Sequence, residues 1–487
     1  MGKMKKITAA LTSAIMLFTL NMGVFAEEQA PSAVDQPSEW AADSVEWSEI
    51  YGLVPGEMLG DFTKKVTREE LYSVCVSVYE RITDQIITPV EKNPYSDTDS
   101  EEVLKACTVG ILDGTGKFEP EKAATRLDMV RGTYEAIRAA QPGFDFKTSM
   151  ELTFKDTGTI PEESVDMVKY TVSKGILNGR SNTILDLDSS CNRQELMVFA
   201  RRAYEFVMYE AGKDSKGAFW KVSDEDSSVY LLGSIHLADP SMYPLSKEIL
   251  KAFEEADYLA VEVDLSNQQE AAAYMLQKAF YTDDNTLYKN VPKEVYDRFV
   301  EVIEPMGVKP EFYNKFKPWY AALLAQNLMY AENSLSGEIG IDMFFMNKSV
   351  GRKEILEIEG IKFQVDMFDT FSAELQAEFL ASSLGLDDQS QEASMDELNK
   401  LIALWKKGDV DGLGKIVKSE EAETEAMKEF NEKLWYSRDT NMAEKVRTYL
   451  ADPEGKTYFV MVGAGHMVGE NGVVDQLDDE YEVKHIK

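Results

Sequence analysis

The second half of the chain alternates short stretches rich in Val, Ile and Leu with longer stretches of helical periodicity. Four of the short stretches have the length of a strand, and they lie at residues 229–236, 258–264, 353–359 and 458–466. Apolar runs of this length are typical of strands buried on both faces. Strands separated by helical segments are typical of α/β architecture. We therefore predict an α/β domain over residues 219–487, with a central mixed sheet flanked by helices.

Each predicted strand ends in a residue that can bind a metal or transfer a proton. Two strands end in Gly-x-x-His, at His236 and His466, and these are two of only three histidines in the chain. The other two strands end at Glu262, followed by Asp264 on the same strand face, and at Glu359. In open α/β sheets, ligands collect outside the carboxyl ends of the strands. The alternative for each Gly-x-x-His motif is a histidine that caps a turn or forms a hydrogen bond within it.

Imidazole and carboxylate groups at one sheet edge suit a borderline divalent metal such as Zn, Mn or Co. A bound metal lowers the pKa of its water and supplies hydroxide near neutral pH. A carboxylate that does not bind the metal, Glu262 or Glu359, can act as general base. Arg438 can stabilise negative charge that develops on a scissile carbonyl oxygen. The alternatives are an ordinary surface or helix-start pair for Arg438 and Asp439, and solvated strand ends for the two glutamates.

A second pattern occurs three times within residues 38–210. Each copy has a helical stretch, a loop that contains Gly, and a second helix that opens with Thr or Asn, then Arg, then an acid two residues later. The arginines of this motif, Arg68, Arg126 and Arg193, are 58 and 67 residues apart, which indicates a structural repeat. The copies are predicted at about residues 38–90, 91–145 and 151–210. Thr or Asn is a good N-cap and an acid suits the first turn, whereas a cation there opposes the helix dipole and needs another reason.

This repeat resembles the S-layer homology repeat, a family that forms helical modules of three copies. The motif matches fully in the second copy, well in the first, and loosely in the third, where Asn192 replaces Thr. The resemblance implies an all-α module that binds secondary cell-wall polysaccharide. It also implies that Arg68, Arg126 and Arg193 line pockets for acidic, ketal-bearing sugars. Arginine suits such carboxylates because it pairs with them through a planar fork of two hydrogen bonds.

The N-terminus has the pattern of a signal peptide. Lys3, Lys5 and Lys6 precede an apolar stretch at residues 7–24, and a small-residue cleavage site ends at Ala26. The alternative is that this stretch stays in place as an uncleaved membrane anchor. No other apolar run in the chain approaches the roughly 20 residues that span a bilayer. We expect residues 1–26 to be removed, no transmembrane segment after cleavage, and an extracellular protein at the cell wall.

Charge and cysteine content exclude several other functions. The formal net charge of −35 argues against a nucleic-acid partner, whose phosphates would be repelled, and against simple electrostatic binding to anionic lipid. The three cysteines are too few for a disulfide framework and contain no Cys-x-x-Cys pair. A thiolate zinc site is therefore not expected.

The second half of the chain resembles the TraB/GumN family, whose relatives include the Tiki metalloproteases. The matching stretches follow the order of the family and lie at residues 232–236, 262–264, 317–319, 340–342, 358–359 with Gln364, 437–439 with Met442, and 463–469. One departure is Gly360, where the family often has Thr, and it affects the expected shape of that loop. The resemblance implies metal-dependent hydrolysis of peptide bonds, with His236 and His466 as metal ligands or catalytic groups and Glu262 and Glu359 as their acid partners.

The combined prediction is an exported, wall-anchored, metal-dependent hydrolase, a peptidase, whose catalytic domain follows a linker at residues 211–218. We assign His236, His466 and Glu262 to the metal, and Glu262, Glu359 and Arg438 to catalysis. Two alternatives stay open. One is a metal-free hydrolase in which His and Glu do the acid–base work. The other is a non-catalytic surface binder of peptides, signals or metals.

Overall fold

The computed structural model describes residues 36–224, 227–265, 268–332, 335–386, 391–418 and 424–487. The chain forms two compact units that divide between Lys213 and Asp214. The predicted signal peptide lies outside the described residues. Within the described ranges, no helix is both long enough and apolar enough to cross a bilayer.

The N-terminal unit is helical, as predicted. Its helices are α1 (Glu39–Ile50), α2 (Arg68–Thr83), α3 (Glu101–Thr108), α4 (Arg126–Ala140), α5 (Val165–Ser173) and α6 (Arg193–Glu210). The longer helices α2, α4 and α6 begin directly after the predicted N-cap residues. Each N-cap side chain accepts a hydrogen bond from the backbone three residues on, and the acid there bonds back to the N-cap backbone. The predicted capping is therefore confirmed in all three copies.

The three copies contact one another in a ring. The first residue of each long helix donates its backbone N–H to the loop of another copy: Arg68 to Lys122, Arg126 to Ser189, and Arg193 to Lys64. The guanidinium groups follow the same order, donating to the carbonyls of Phe118 (2.8 Å), Asn178 (2.9 Å) and Gly60 (3.1 Å). The first copy thus donates hydrogen bonds to the second, the second donates to the third, and the third donates to the first. These carbonyls explain why a cation occupies each first turn.

The C-terminal unit is built on one mixed sheet. Its strands are β1 (Ala218–Ser223), β2 (Ser228–Ser234), β3 (Tyr258–Val261), β4 (Glu354–Glu357), β5 (Tyr458–Gly463) and β6 (Glu482–His485). Their order in the sheet is β4-β3-β5-β2-β1-β6. The pairs β4–β3, β3–β5 and β5–β2 are parallel, and β1 is antiparallel to both of its neighbours. The mixed sheet is confirmed, and β1 and β6 lie outside the four strands predicted from the apolar runs.

Helices flank this sheet and fill the connections between its strands. They are α7 (Lys247–Glu255), α8 (Gln268–Ala279), α9 (Leu287–Asn290), α10 (Lys293–Ile303), α11 (Pro310–Tyr313), α12 (Pro318–Glu332), α13 (Ile341–Ser349), α14 (Ile361–Asp369), α15 (Ala373–Ser383), α16 (Gln391–Lys407), α17 (Val410–Val417), α18 (Glu425–Asn431), α19 (Ser437–Leu450), α20 (Ala464–Met467) and α21 (Val473–Asp478). A π-helical turn at Glu432–Tyr436 leads into α19.

The core of this unit lies along the central parallel strands. All six residues of β5 are buried, because β5 pairs with β2 on one side and β3 on the other. Parallel strands covered on both faces need apolar residues at successive positions. This requirement explains the continuous apolar run of β5 and places the ends of β2, β3, β4 and β5 at one edge of the sheet.

Candidate active site

Four of the five predicted site residues follow the carboxyl ends of four neighbouring parallel strands. His236 follows β2, Glu262 follows β3, Glu359 follows β4, and His466 lies in the short helix α20 after β5. The strand β3 ends at Val261, so the alternation expected for the acids beyond it does not apply. Glu262 is buried, whereas Asp264 is half-buried and its backbone N–H bonds to the carboxylate of the exposed Glu357.

His236 is held by an aspartate that the sequence analysis did not assign to the site. Its Nδ1 lies 2.6 Å from Oδ2 of Asp342 in the first turn of α13, and both side chains are buried. Gly340 allows this approach, because a Cβ at this position would lie 2.2 Å from the carbonyl oxygen of His236. The backbone N–H of Ile341 also donates to the carbonyl of Ile235. The start of α13 is therefore fixed against the end of β2.

His466 has the same arrangement with a second aspartate. Its Nδ1 lies 2.6 Å from Oδ1 of Asp439 in α19, and the ring packs edge-on against Trp435. The other oxygen of Asp439 accepts a hydrogen bond of 2.6 Å from the ammonium of Lys418. Asp439 is thus bound on both sides, by a lysine and by the imidazole.

Both imidazoles keep one nitrogen without a hydrogen-bond partner among the described residues. These atoms are Nε2 of His236 and Nε2 of His466, and both are buried. When the imidazole is neutral, donation from Nδ1–H to an aspartate leaves the lone pair on Nε2. The second nitrogen of a metal-binding histidine is commonly oriented by a carboxylate in this way.

The charges around the two imidazoles differ. Burial opposes the charged form of His236, but the Asp342 carboxylate outweighs it and raises the pKa of His236. Burial, assisted by the Arg438 guanidinium, lowers the pKa of His466 to about 3. Burial also raises the pKa of Asp439 to about 7, although Lys418 acts in the opposite direction. His466 is therefore neutral at neutral pH.

Arg438 joins the two glutamates of the site. It is 1% exposed, and its Nη2 donates to Glu262 at 2.7 Å. Its Nε and Nη2 both donate to Glu359, each at 2.8 Å, in a two-bond fork. Gln364 donates to both glutamates as well, at 2.9 and 3.1 Å. The alternative that Arg438 belongs to an ordinary surface pair is therefore wrong. The alternative that Glu262 is a solvated strand end is also wrong.

The electrostatics of this cluster follow from its burial. Burial alone would raise the pKa of Glu262, but Arg438 and the two histidines outweigh it and hold the pKa below its ordinary value. Its second oxygen, Oε1, accepts a hydrogen bond of 2.5 Å from the backbone N–H of Gly463. Both glutamates raise the pKa of Arg438. The cluster is a buried cation shared by two carboxylates.

Comparison with known proteins identifies the family of the domain that contains this site. The family model of the TraB/PrgY/gumN family matches residues 218–485, which is more than half of the chain. The chain belongs to the TraB/PrgY/gumN family. The prediction of this family from the scattered motifs is confirmed.

Several relatives of this TraB/PrgY/gumN protein are known by name. The uncharacterized protein YbaP of Escherichia coli (strain K12) is 27% identical over 139 residues, covering 28% of this chain and 50% of YbaP. Metalloprotease TIKI1 of Danio rerio is 22% identical over 319 residues, covering 56% of this chain and 63% of that protein. Metalloprotease TIKI1 of Homo sapiens is 22% identical over 310 residues, covering 55% and 61%. The chain spans about half of YbaP and less than two thirds of either TIKI1 protein.

The donors of this TraB/PrgY/gumN site fit a metal in part. Two buried imidazole nitrogens without partners are suitable donors for a divalent cation. The described ranges contain no group of three or more His, Cys, Asp or Glu residues that could hold a metal as they stand. Glu262 has the chemistry of a third ligand, but Arg438, Gln364 and Gly463 occupy its oxygens. It could bind a metal only by giving up some of these contacts.

The three repeat arginines lie in the N-terminal unit and have partners there. Arg126 is one of the residues lining a cleft of about 410 Å³, together with Arg180, Arg202 and Trp40. Arg193 is buried and pairs with Glu70 at 2.5 Å. Arg68 lies near the rings of Tyr72 and Phe118 in addition to its carbonyl contact. These contacts between copies account for the arginines without a ligand, and sugar binding stays a prediction.

Proposed function

We propose that the C-terminal unit is a metal-dependent hydrolase that cleaves peptide bonds. The supporting observation is the pair of buried histidines, each bonded through Nδ1 to an aspartate and each with a free Nε2. The TIKI1 relatives, which are named metalloproteases, suggest the reaction class. Their low identity and partial coverage make the activity a proposal for this chain.

In this proposal His236 and His466 would hold the metal through Nε2, and Glu262 is the candidate third ligand. When bound, a divalent metal supplies a water of low pKa and polarises a carbonyl group. Asp342 and Asp439 keep the imidazole rings in the orientation that binding requires. Glu359 is the candidate proton acceptor, and Arg438 holds it beside Glu262 with two-bond geometry. Burial of the cluster excludes bulk water from these charges.

A test is to purify the chain without residues 1–26 and measure bound Mn, Co and Zn by elemental analysis. We expect about one metal per chain, lost in His236→Ala and in His466→Ala. His485→Ala is the matched control, because the third histidine lies on β6 at the edge strand of the sheet and metal content should not change. Asp342→Asn and Asp439→Asn should weaken metal affinity about 10- to 100-fold, because each removes the carboxylate that orients a ligand.

Peptide cleavage is then screened with each metal restored. Cleavage that requires metal and both site histidines would establish the proposal. Failure to bind Mn, Co or Zn under any loading condition would contradict it.

A metal-free His/Glu hydrolase is the second candidate, because Arg438 and Gln364 occupy the carboxylates and no three-ligand group lies in the described ranges. Cleavage that survives removal of metal by a chelator would favour it. A surface binder without turnover is the third outcome, in which peptides bind but none is cleaved.

We also propose that the N-terminal unit attaches the exported protein to secondary cell-wall polysaccharide. The supporting observation is the cleft at Arg126, whose lining includes three arginines and a single carboxylate, Glu195. Cosedimentation of the purified chain with cell walls tests this attachment. Arg202→Gln, a residue outside the ring contacts described above, should reduce binding, and walls stripped of secondary polysaccharide should not bind.

A further inference from the structure

A groove of about 380 Å³ opens beside the glutamate–arginine cluster of the C-terminal unit. One wall is formed by Ile358, Glu359 and Phe363, from the turn after β4 and the start of α14. The other wall is a face of α19 and is formed by Asn441, Glu444, Lys445 and Thr448. We call this feature the α19 groove.

The α19 groove reaches the candidate active site at Glu359. Residues 438, 441, 445 and 448 are spaced by three, four and three positions, which places them in one row along the helix. Arg438 is therefore the buried first member of the row that lines the groove. Glu359 lines the groove while its side chain is only 4% exposed, and it is bonded to Arg438. The groove thus leads from solvent to the Glu359 carboxylate.

The lining of the groove combines an apolar surface with one uncompensated cation. Phe363 is 42% exposed, and Ile358 lies in the same wall. Lys445 is exposed and has no ion pair within the described ranges. Glu444, the carboxylate beside it in the lining, pairs with Arg447 at 2.9 Å. Glu359 is already neutralised by Arg438. In a chain of net charge −35, a free lysine in a groove favours a negatively charged ligand.

We propose that the α19 groove binds an extended segment of the substrate peptide and selects an acidic side chain at Lys445. This inference rests on the proposed function, because it takes the carboxylate cluster as the place of reaction. Lys445 lies seven positions after Arg438 on the helix, a distance of roughly 10 Å at 1.5 Å per residue. An extended peptide rises about 3.3 Å per residue. The acidic side chain should therefore lie about three residues from the bond that reacts, with an apolar side chain between them against Phe363.

The test uses the chain without residues 1–26 and a set of quenched fluorescent peptides. The peptides carry Glu, Gln or Lys at each position in turn, and kcat/KM is measured with metal supplied. We expect Glu to be preferred over Lys about two- to tenfold at one position, about three residues from the cleaved bond, because ion pairs at exposed sites are weak. Lys445→Glu should invert the preference at that position and nowhere else.

Lys484→Glu is the matched control, because Lys484 is an exposed lysine on β6, and its peptide profile should be unchanged. Phe363→Ala should remove a preference for apolar residues between the acid and the cleaved bond. A parent profile without an acidic preference would overturn the proposal. So would a Lys445→Glu effect that is equal for every peptide.

Binding of the same Glu and Lys peptides is measured by fluorescence anisotropy, so that the two proposals fail separately. If binding shows a preference that Lys445→Glu inverts but no peptide is cleaved, the groove is supported and the hydrolase function is contradicted. If cleavage occurs without dependence on Lys445, the groove is contradicted and the hydrolase function stands. If no peptide binds with a charge preference and none is cleaved, the groove proposal is wrong.

Discussion

Replacement of Arg438 by Met should destabilise the C-terminal unit strongly, because two buried carboxylates lose the cation they share. The guanidinium is 1% exposed and donates to Glu262 and Glu359 over 2.7–2.8 Å. Breaking a buried pair by removing one partner costs about 3–5 kcal/mol. Gln364 still donates to both carboxylates in the variant, so we expect the lower half of that range. Met matches the side chain of Arg as far as Nε, which limits the packing loss to the end of the guanidinium group.

The same substitution should reverse the pH dependence of the network. In the native protein the pKa of Glu262 is lowered, so the network stabilises the fold above the unfolded-state pKa of about 4.3. This stabilisation is lost as the pH falls through the lower native pKa. Without Arg438, burial raises the pKa of Glu262, and the penalty of the variant is greatest at neutral pH. The stability difference between parent and variant should therefore shrink from pH 7 towards pH 4.

The assay is equilibrium urea unfolding followed by tryptophan fluorescence, since four of the six tryptophans lie in the C-terminal unit. Arg447→Met is the control on the same helix, because the carboxylates that pair with Arg447 are exposed, and it should change stability by less than about 1 kcal/mol. A loss below about 1 kcal/mol for Arg438→Met, or a loss independent of pH, would refute the buried-cation interpretation.

Two further substitutions test the contacts that position each unit. Gly340→Ala should lower the free energy of unfolding by about 1–3 kcal/mol, because the added methyl must displace the backbone at His236. The control in urea unfolding is Gly143→Ala, which has open space around it. Equal effects of the two substitutions would contradict the close approach. Arg193→Met should lower the stability of the N-terminal unit by about 2–4 kcal/mol, because it removes the shorter ion pair of a partly buried glutamate and leaves only Lys64, at 3.7 Å. Arg138→Met, at an exposed pair, should cost less than about 1 kcal/mol in the same thermal and urea measurements, and no difference between the two would show that the ring contact is dispensable.

Local pattern predicted the strands and the residues at their ends, because each apolar run and the residue after it are adjacent in sequence. His236, Glu262, Glu359 and His466 were found in this way. Their positions along one sheet edge follow from parallel pairing, which the apolar runs also indicate.

The partners of these residues could not be predicted from pattern. Asp342 is 106 residues from His236 in sequence, and no local rule links a distant carboxylate to a particular ring. The signal for Asp342 was the Gly340–Ile341–Asp342 stretch, in which glycine marks a close backbone approach. Asp439 stood directly beside Arg438, but spacing did not show which of the two faced the imidazole. The strand β6 carries charged residues at alternate positions. It lacks the kind of apolar run from which β2, β3, β4 and β5 were predicted.

The ring of contacts among the three N-terminal copies has a consequence for how that unit folds. In a linear array of repeats the end copies have one neighbour each, and stability is close to a sum over neighbouring pairs. In this unit every copy donates hydrogen bonds to one of the other copies and accepts them from the remaining one. No copy is therefore an end copy that can unfold first. Removal of any single copy would open two interfaces at once. The three copies should therefore melt in one cooperative transition, and a shortened chain with two copies should be far less stable than two thirds of the whole.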